Sequence, residues 1–417
     1  MRALLGVLVL ALPAAASPGA AQEAHHPNVV LILSDDQHWS DFGFLGSAEV
    51  RTPNLDALAK EGVVFTRGYV PTALCRPSLA TLVSGLYPHQ HGITGNDPPR
   101  GTDRALLLSH IAAVETLPEL LGAAGYRSMQ TGKWWEGSFV DGGFREGMTH
   151  GDPARGGRHG DDGLAIGRGS MRPALDFIDA CAEEGTPFFL WYAPFLPHTP
   201  HTPPKRILDR YARPDVPAPV AKYRAMCTWF DETCGELLGH LGARGIADDT
   251  LVVFLVDNGW IQRPDAGGFA PRSKRTPYEG GVRTPIVLRW PAGIEPARRD
   301  TPVSSVDVPA TILAACGVEV PAAWPGVDLR ATGPARGPVF GAAFTHDMVD
   351  PDDPASSLLT RWVLRDPYKL LVHVDPQRPD ELYDLRADPA EERPLDEPEL
   401  AASLRAELDA WWPGKAR

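Results

Sequence analysis

Four short stretches of this chain are apolar at nearly every position instead of every second one. Residues 28–33 read NVVLIL, 187–192 PFFLWY, 251–256 LVVFLV and 285–290 PIVLRW. A strand with one wet face alternates apolar and polar side chains, so a strand that is apolar throughout must be covered on both faces. Helix signatures lie between these runs. Residues 52–62, TPNLDALAKEG, offer Thr52 as N-cap, Pro53 at the first helical position and Gly62 as terminator. Residues 115–125 repeat the form, and residues 221–241 carry Met226, Phe230, Leu237 and Leu241 on one stripe. Strands alternating with helices predict an α/β fold, a large mostly parallel sheet flanked by helices.

A chain of 417 residues has room for a second, smaller unit. Composition changes after Arg330, where ATGPARGP reads as a linker. RWVLRD and YKLLVHV then predict short strands, and a last helix is expected over 399–412. The expected organisation is a signal peptide at 1–21, a large domain at 22–330 and a small C-terminal α+β subdomain at 331–417. The first 21 residues join one Arg, an apolar run and small residues, the pattern of a secretory leader. The run is short for a bilayer and Pro13 interrupts it, so no stable membrane span is expected, and the mature protein is expected to be periplasmic or secreted. A net charge of −13 argues against nucleic acid as a partner. The five cysteines, Cys75, Cys181, Cys227, Cys234 and Cys316, show neither a disulfide framework nor zinc spacing.

In open α/β sheets, ligands bind beyond the carboxyl ends of strands. Two acidic clusters fall there, Asp35-Asp36 after the first run and Asp257-Asn258-Gly259 after LVVFLV. Each alone is an ordinary turn sequence. Together they supply three carboxylates and an amide oxygen, hard donors that suit Ca²⁺ or Mg²⁺ better than zinc. Cys75 stands where a helix should begin, in CRPSLATLVSG, and free N–H groups at such a terminus are expected to lower a thiol pKa. Sulfur is a poor partner for a hard cation, so a cysteine beside this oxygen set makes sense if it is converted to an oxygen species.

The chain resembles a type I sulfatase of the alkaline-phosphatase-like superfamily. The resemblance rests on PNVVLILSDDQ, TPNLDALAKEGVVFTRGYV, CRPSLATLVSGLYPHQHG, GYRSMQTGKWW, PFFLWYAPFLPHTP, VVFLVDNG, KRTPYEGGVRTP, SSVDVPATILAACG and ELYDLRADPAEE, in family order over nearly the whole mature chain. It implies that Asp35, Asp36, Asp257 and Asn258 ligate the metal, usually Ca²⁺. It implies that Cys75 is oxidised to formylglycine by a formylglycine-generating enzyme, its hydrate attacking sulfur and contacting the metal. Lys133 and Lys274 match lysines on the sulfate oxygens, and His198 matches the histidine beside the leaving-group oxygen. His89, His91 and His201 are secondary candidates for substrate contact, and Trp134, Trp135 and Trp260 for stacking on sugar rings.

The pattern departs at two positions. The family motif Cys-x-Pro-Ser-Arg ends here in Leu79, and the histidine of Gly-Lys-Trp-His is Trp135. Leu79, Leu82 and Val83 form an i, i+3, i+4 apolar set, and Arg76, Lys133 or Arg275 are the candidates to replace the missing charge. The implied function is an exported hydrolase of sulfate esters, acting on a sulfated small molecule or glycan. Two alternatives stand beside it: a non-catalytic or unmatured relative that binds metal and sulfated glycan, and a phosphate or phosphonate ester hydrolase of the same superfamily.

Overall fold

The computed structural model describes residues 26–331 and 336–414; the leader expected at 1–21 lies outside them. Thirteen strands follow in chain order: β1 (Asn28–Ser34), β2 (Val63–Tyr69), β3 (Arg127–Gly132), β4 (Glu146–Gly147), β5 (Phe188–Ala193), β6 (Thr250–Val256), β7 (Arg283–Arg289), β8 (Ala297–Arg299), β9 (Val303–Ser304), β10 (Val339–Phe344), β11 (Leu358–Arg365), β12 (Tyr368–His373) and β13 (Glu381–Asp384). The first nine make one sheet in the order β4-β3-β5-β1-β6-β7-β2-β8, with β9 on β2. It is mostly parallel, as expected, but β7 runs antiparallel to both β6 and β2.

The continuous apolar runs are explained by a core on each face. In β1, Val29, Leu31 and Leu33 enter one cluster while Val30 and Ile32 enter the other. In β6, Leu251, Val253 and Leu255 alternate in the same way with Val252, Phe254 and Val256. Helix Cys75–Ser84 supplies Leu79, Leu82 and Val83 to the first cluster. Helix Ala218–Ala243 supplies Met226, Phe230, Leu237 and Leu241 to the second.

Helix Pro53–Lys60 begins where expected, with Thr52 at the N-cap position, but the Thr52 hydroxyl does not cap it. The Asp231 carboxylate does, accepting from Asn54 N at 3.1 Å and Leu55 N at 2.8 Å. A carboxylate in helix Ala218–Ala243 thus satisfies orphan donors at the start of another helix.

Strands β10-β11-β12-β13 form a second, antiparallel sheet. One face packs Val363, Leu370, Val372 and Leu382 under Leu404 and Leu408 of helix Pro398–Trp411. The other face packs Trp362, Leu364, Leu371 and Tyr383 against Tyr69 at the end of β2 and against Val70, Ala73, Tyr278 and Val282. A buried ion cluster joins the two units: Lys369 Nζ on β12 stands 3.2 Å from Glu279 and 2.9 Å from Glu391. This docking braces the segment 272–282 that carries Lys274. Among the described residues no single helix is long and apolar enough to cross a membrane.

Candidate functional site

Strands β1 and β6 pair in register through Ser34 and Val256, so the next residues of each emerge side by side. Asp257 N donates to Ser34 O at 2.9 Å, Asp36 N to Asp257 Oδ1 at 3.0 Å, and Asn258 Nδ2 to Asp36 Oδ1 at 2.7 Å. Asp36 has φ 65°, a left-handed backbone that a β-carbon disfavours by about 1–2 kcal/mol and that Asp tolerates better than most. Gly259 follows, where a Cβ would collide with the Gly280 carbonyl, so glycine allows the Lys274-bearing segment to approach.

Cys75 opens helix Cys75–Ser84, which Ser78 ties to the acidic loop by donating to Asp257 O at 2.5 Å. Lys133 leaves the end of β3 and donates from Nζ to Asp35 Oδ1 at 2.6 Å, with Asp257 Oδ2 at 3.5 Å. Lys274 Nζ reaches Asp36 Oδ1 and Oδ2 at 2.6 and 2.7 Å and Cys75 Sγ at 3.0 Å. His198 Nε2 lies 3.4 Å from Asp36 Oδ2, and its ring stacks on Phe195 at 4.2 Å. The eight residues singled out from the sequence therefore meet in one place. Asp35, Asp36, Asp257, Asn258, Cys75, Lys133 and Lys274 are buried there.

The donor set fits a hard divalent cation. Asp35 Oδ2, Asp257 Oδ2 and Asn258 Oδ1 are buried without a hydrogen-bond partner. Each such orphan costs about 1–3 kcal/mol unless something neutral or cationic satisfies it. Asp35, Asp36, Cys75 and His198 each present a donor atom within 4.8 Å of the others. Burial raises the Asp35 pKa despite Lys133, and burial with the neighbouring Asp35 charge takes Asp257 up to about 7. Burial also acts on Asp36, but Lys274, His198 and Lys133 hold it at about 2. Buried neighbouring carboxylates raise one another's pKa unless a nearby cation offsets them.

Two expectations are corrected. Burial pushes the Cys75 thiol up to about 11, even with Lys133 and Lys274 beside it, so the helix terminus does not make an exposed reactive thiolate. Nor does Arg76 replace the missing arginine. It is fully buried, and its Nε and Nη2 each donate to Glu136 at 2.6 Å, a fork closed on its own carboxylate. Arg275 is exposed. The cation that touches position 75 is Lys274. Leu79 is 3 % exposed and belongs to the core.

Trp134 is core as well, edge-on to Phe144 and Trp191. Trp135 is buried, with Arg158, Arg104 and Lys133 at 5.0, 5.2 and 5.9 Å from its ring centre. His89 stacks on Trp412 at 4.6 Å and His91 faces Thr81, so both are packing residues. His201 and Trp260 stay near the site, 6.2 Å apart, with Trp260 5.8 Å from Lys274 Nζ. Sequence reading missed Arg168. It donates to Phe195 O and His198 O, both at 2.8 Å, and so holds the turn that carries His198. Its only sequence signal is membership of the Gly-, Arg- and Asp-rich stretch 151–169.

The fold that carries this cluster of buried carboxylates and lysines is shared with known proteins. The Sulfatase family model matches residues 27–318, and the model for the C-terminal part of N-sulphoglucosamine sulphohydrolase matches 267–411. The chain belongs to the type I sulfatase family. It is 30% identical to human arylsulfatase A over 343 residues, 72% of this chain and 66% of that protein. It is 31% identical to N-acetylgalactosamine-6-sulfatase of Canis lupus familiaris over 360 residues, 76% and 68% of the two chains. It thus spans about two-thirds of the length of these curated relatives. The crystal structure of Ps i-CgsB in complex with k-i-k-neocarrahexaose superposes with a TM-score of 0.78 at 25% identity, covering 94% of each chain.

Proposed function

We propose that this protein is an exported hydrolase of sulfate esters on a sulfated carbohydrate. Asp35, Asp36, Asp257 and Asn258 hold Ca²⁺, with Mg²⁺ as the alternative, and Cys75 is matured to formylglycine by a formylglycine-generating enzyme. The observation that carries this reading is the buried cluster at two strand ends, where Asp35, Asp36, Cys75 and His198 present donor atoms within 4.8 Å of one another and Asp257 and Asn258 bond to Asp36. The family membership, the glycan-bound relative and the leader-like start at residues 1–21 support it.

When bound, the cation supplies a Lewis acid and the modified residue an oxygen nucleophile. The chain's own side chains do the rest. Lys133 and Lys274 place two buried ammonium groups where a sulfate would bring its oxygens, and fixed charges in a dry site stabilise charge that builds at the transition state. The carbonyl of Thr199, 2.6 Å from His198 Nδ1, fixes the proton on that nitrogen and leaves Nε2 toward the centre. Burial takes the His198 pKa down to about 3, so the resting ring is neutral with Nε2 as an acceptor. Protonating the departing oxygen requires the imidazolium, whose Nε2 proton passes to that oxygen and leaves the ring neutral again.

The test has two parts. Mass spectrometry of the tryptic peptide 68–100, from protein made in its native host, distinguishes thiol from aldehyde at position 75. Release of inorganic sulfate from sulfated oligosaccharides is then compared with release of phosphate from phosphorylated ones. Aldehyde with sulfate turnover is expected. An unmodified thiol with no turnover moves the protein to the glycan-binding reading, and faster phosphate release moves it to the phosphoesterases.

A further inference from the structure

Beside the acidic cluster lies an open pocket of about 450 Å³. Its walls continue directly from the ligand residues. One wall is His38, Trp39, Ser40 and Asp41, which follow Asp36; another is Trp260, Ile261 and Gln262, which follow Asn258. Trp260 is the shared partition, lining the pocket while standing 5.8 Å from Lys274 Nζ and 6.2 Å from His201. Helix Ala218–Ala243 closes the third side with Tyr223 and Arg224.

The chemistry of this lining differs from that of the centre. Two indoles line it: Trp39, half-buried with the Arg283 guanidinium 3.7 Å from its ring centre, and Trp260, which is 5 % exposed and packs edge-on to Phe269. Asp41 is fixed by the Tyr223 hydroxyl at 2.6 Å, and the Trp260 indole N–H donates to Gln262 Oε1 at 3.2 Å. The pocket's one arginine, Arg224, is paired with Glu49 at 2.6 Å. Burial takes the His38 pKa down to about 4, so that imidazole is neutral at pH 7. The lining therefore carries the half-exposed Trp39 ring and oxygen acceptors, and its arginine is neutralised by Glu49. Aromatic rings and fixed acceptors suit the C–H faces and hydroxyls of a sugar. A lining with an excess carboxylate repels a second sulfate or a uronate.

We infer that the pocket lined by Trp39, Asp41, Trp260 and Gln262 is a subsite for an uncharged sugar residue adjoining the sulfated one. The substrate is then an oligosaccharide in which a sulfated unit neighbours a neutral unit. This inference rests on the sulfatase reading for its catalytic meaning, but its binding component does not.

Two measurements separate them. The first is retention of wild-type protein, Trp39→Ala and Gln262→Ala on an array of neutral, sulfated and uronate-bearing oligosaccharides. Wild-type protein is expected to hold neutral oligosaccharides and each variant to lose about tenfold in affinity. The second is kcat/KM for a sulfated monosaccharide against the same unit extended by one neutral sugar. Extension is expected to raise kcat/KM at least tenfold in wild type and not in the variants, which keep wild-type rates on the monosaccharide. Neutral binding without any sulfate release would overturn the catalytic reading and leave the subsite. Sulfate release with no gain from extension, or an equal gain in the variants, would overturn the subsite and leave the catalytic reading. Preference for an extension bearing sulfate or uronate would also overturn it.

Discussion

Lys274 Nζ stands 3.0 Å from the sulfur of Cys75, making it the ammonium in contact with the residue that family membership marks for modification. It is delivered by a segment that the C-terminal sheet braces through Tyr278, Glu279 and Lys369. Lys274→Met is expected to lower kcat for sulfate release by ~10²–10³-fold, the range for losing one transition-state donor. A change of less than tenfold, measured under substrate saturation, would remove Lys274 from the reaction.

Restoring the family arginine should not help. Leu79 is 3 % exposed among Leu82, Val83 and other core residues. Leu79→Arg would bury a charge among apolar side chains, and leaving it unpaired costs roughly 3–5 kcal/mol. Urea unfolding measures this directly. An arginine variant as stable as wild type, with faster sulfate release, would show that the site still has room for the missing side chain.

Arg168 acts through His198 without touching the reacting atoms. Its guanidinium spans the carbonyls of Phe195 and His198, each at 2.8 Å, with Pro200 O at 3.3 Å. Arg168→Ala is expected to cut kcat by about tenfold or more, since small misplacements of a catalytic group are costly. The alkaline and acid limbs of the pH profile should shift with it, because the His198 environment changes. Arg168→Lys should recover part of the rate. A loss confined to thermal stability, with an unchanged pH profile, would make Arg168 only a structural brace.

The C-terminal sheet gives a pH prediction. Burial works to raise the Glu381 pKa, but His373, Tyr383 and Tyr278 hydrogen-bond its carboxylate and hold it at about 2, below the ordinary 4.5. A depressed carboxyl stabilises the fold at pH above its unfolded value, and that stabilisation is lost as pH falls through the folded one. Glu381→Gln should therefore lower Tm by a constant amount from pH 7 to about 5, with the gap closing between about 4.5 and 2. A gap independent of pH would mean that shape, not charge, matters at this position.

The parts of this fold that were readable from sequence are those governed by local pattern. NVVLIL and LVVFLV had to be buried on both faces, and their acidic endings had to emerge at one end of the sheet. What stayed hidden depends on partners far along the chain. Arg76 looks like a free charge beside Cys75 until Glu136, sixty residues away, closes its fork. Thr52 has the right identity for a helix cap, yet Asp231 performs it from the longest helix. Trp134 and Trp135 read equally well as sugar platforms or core, and packing decides for the core. The thiol shift went the other way because helix-terminus reasoning counts dipoles and not the loss of water around a residue 1 % exposed.

The central claim is that the four strand-end ligands hold one divalent cation facing position 75. Isothermal titration of the metal-stripped protein with Ca²⁺ tests it most directly. The account predicts one site per chain, a rise in Tm on binding, and loss of both in Asp35→Asn and Asp257→Asn. No binding, or binding that survives both substitutions, would contradict it.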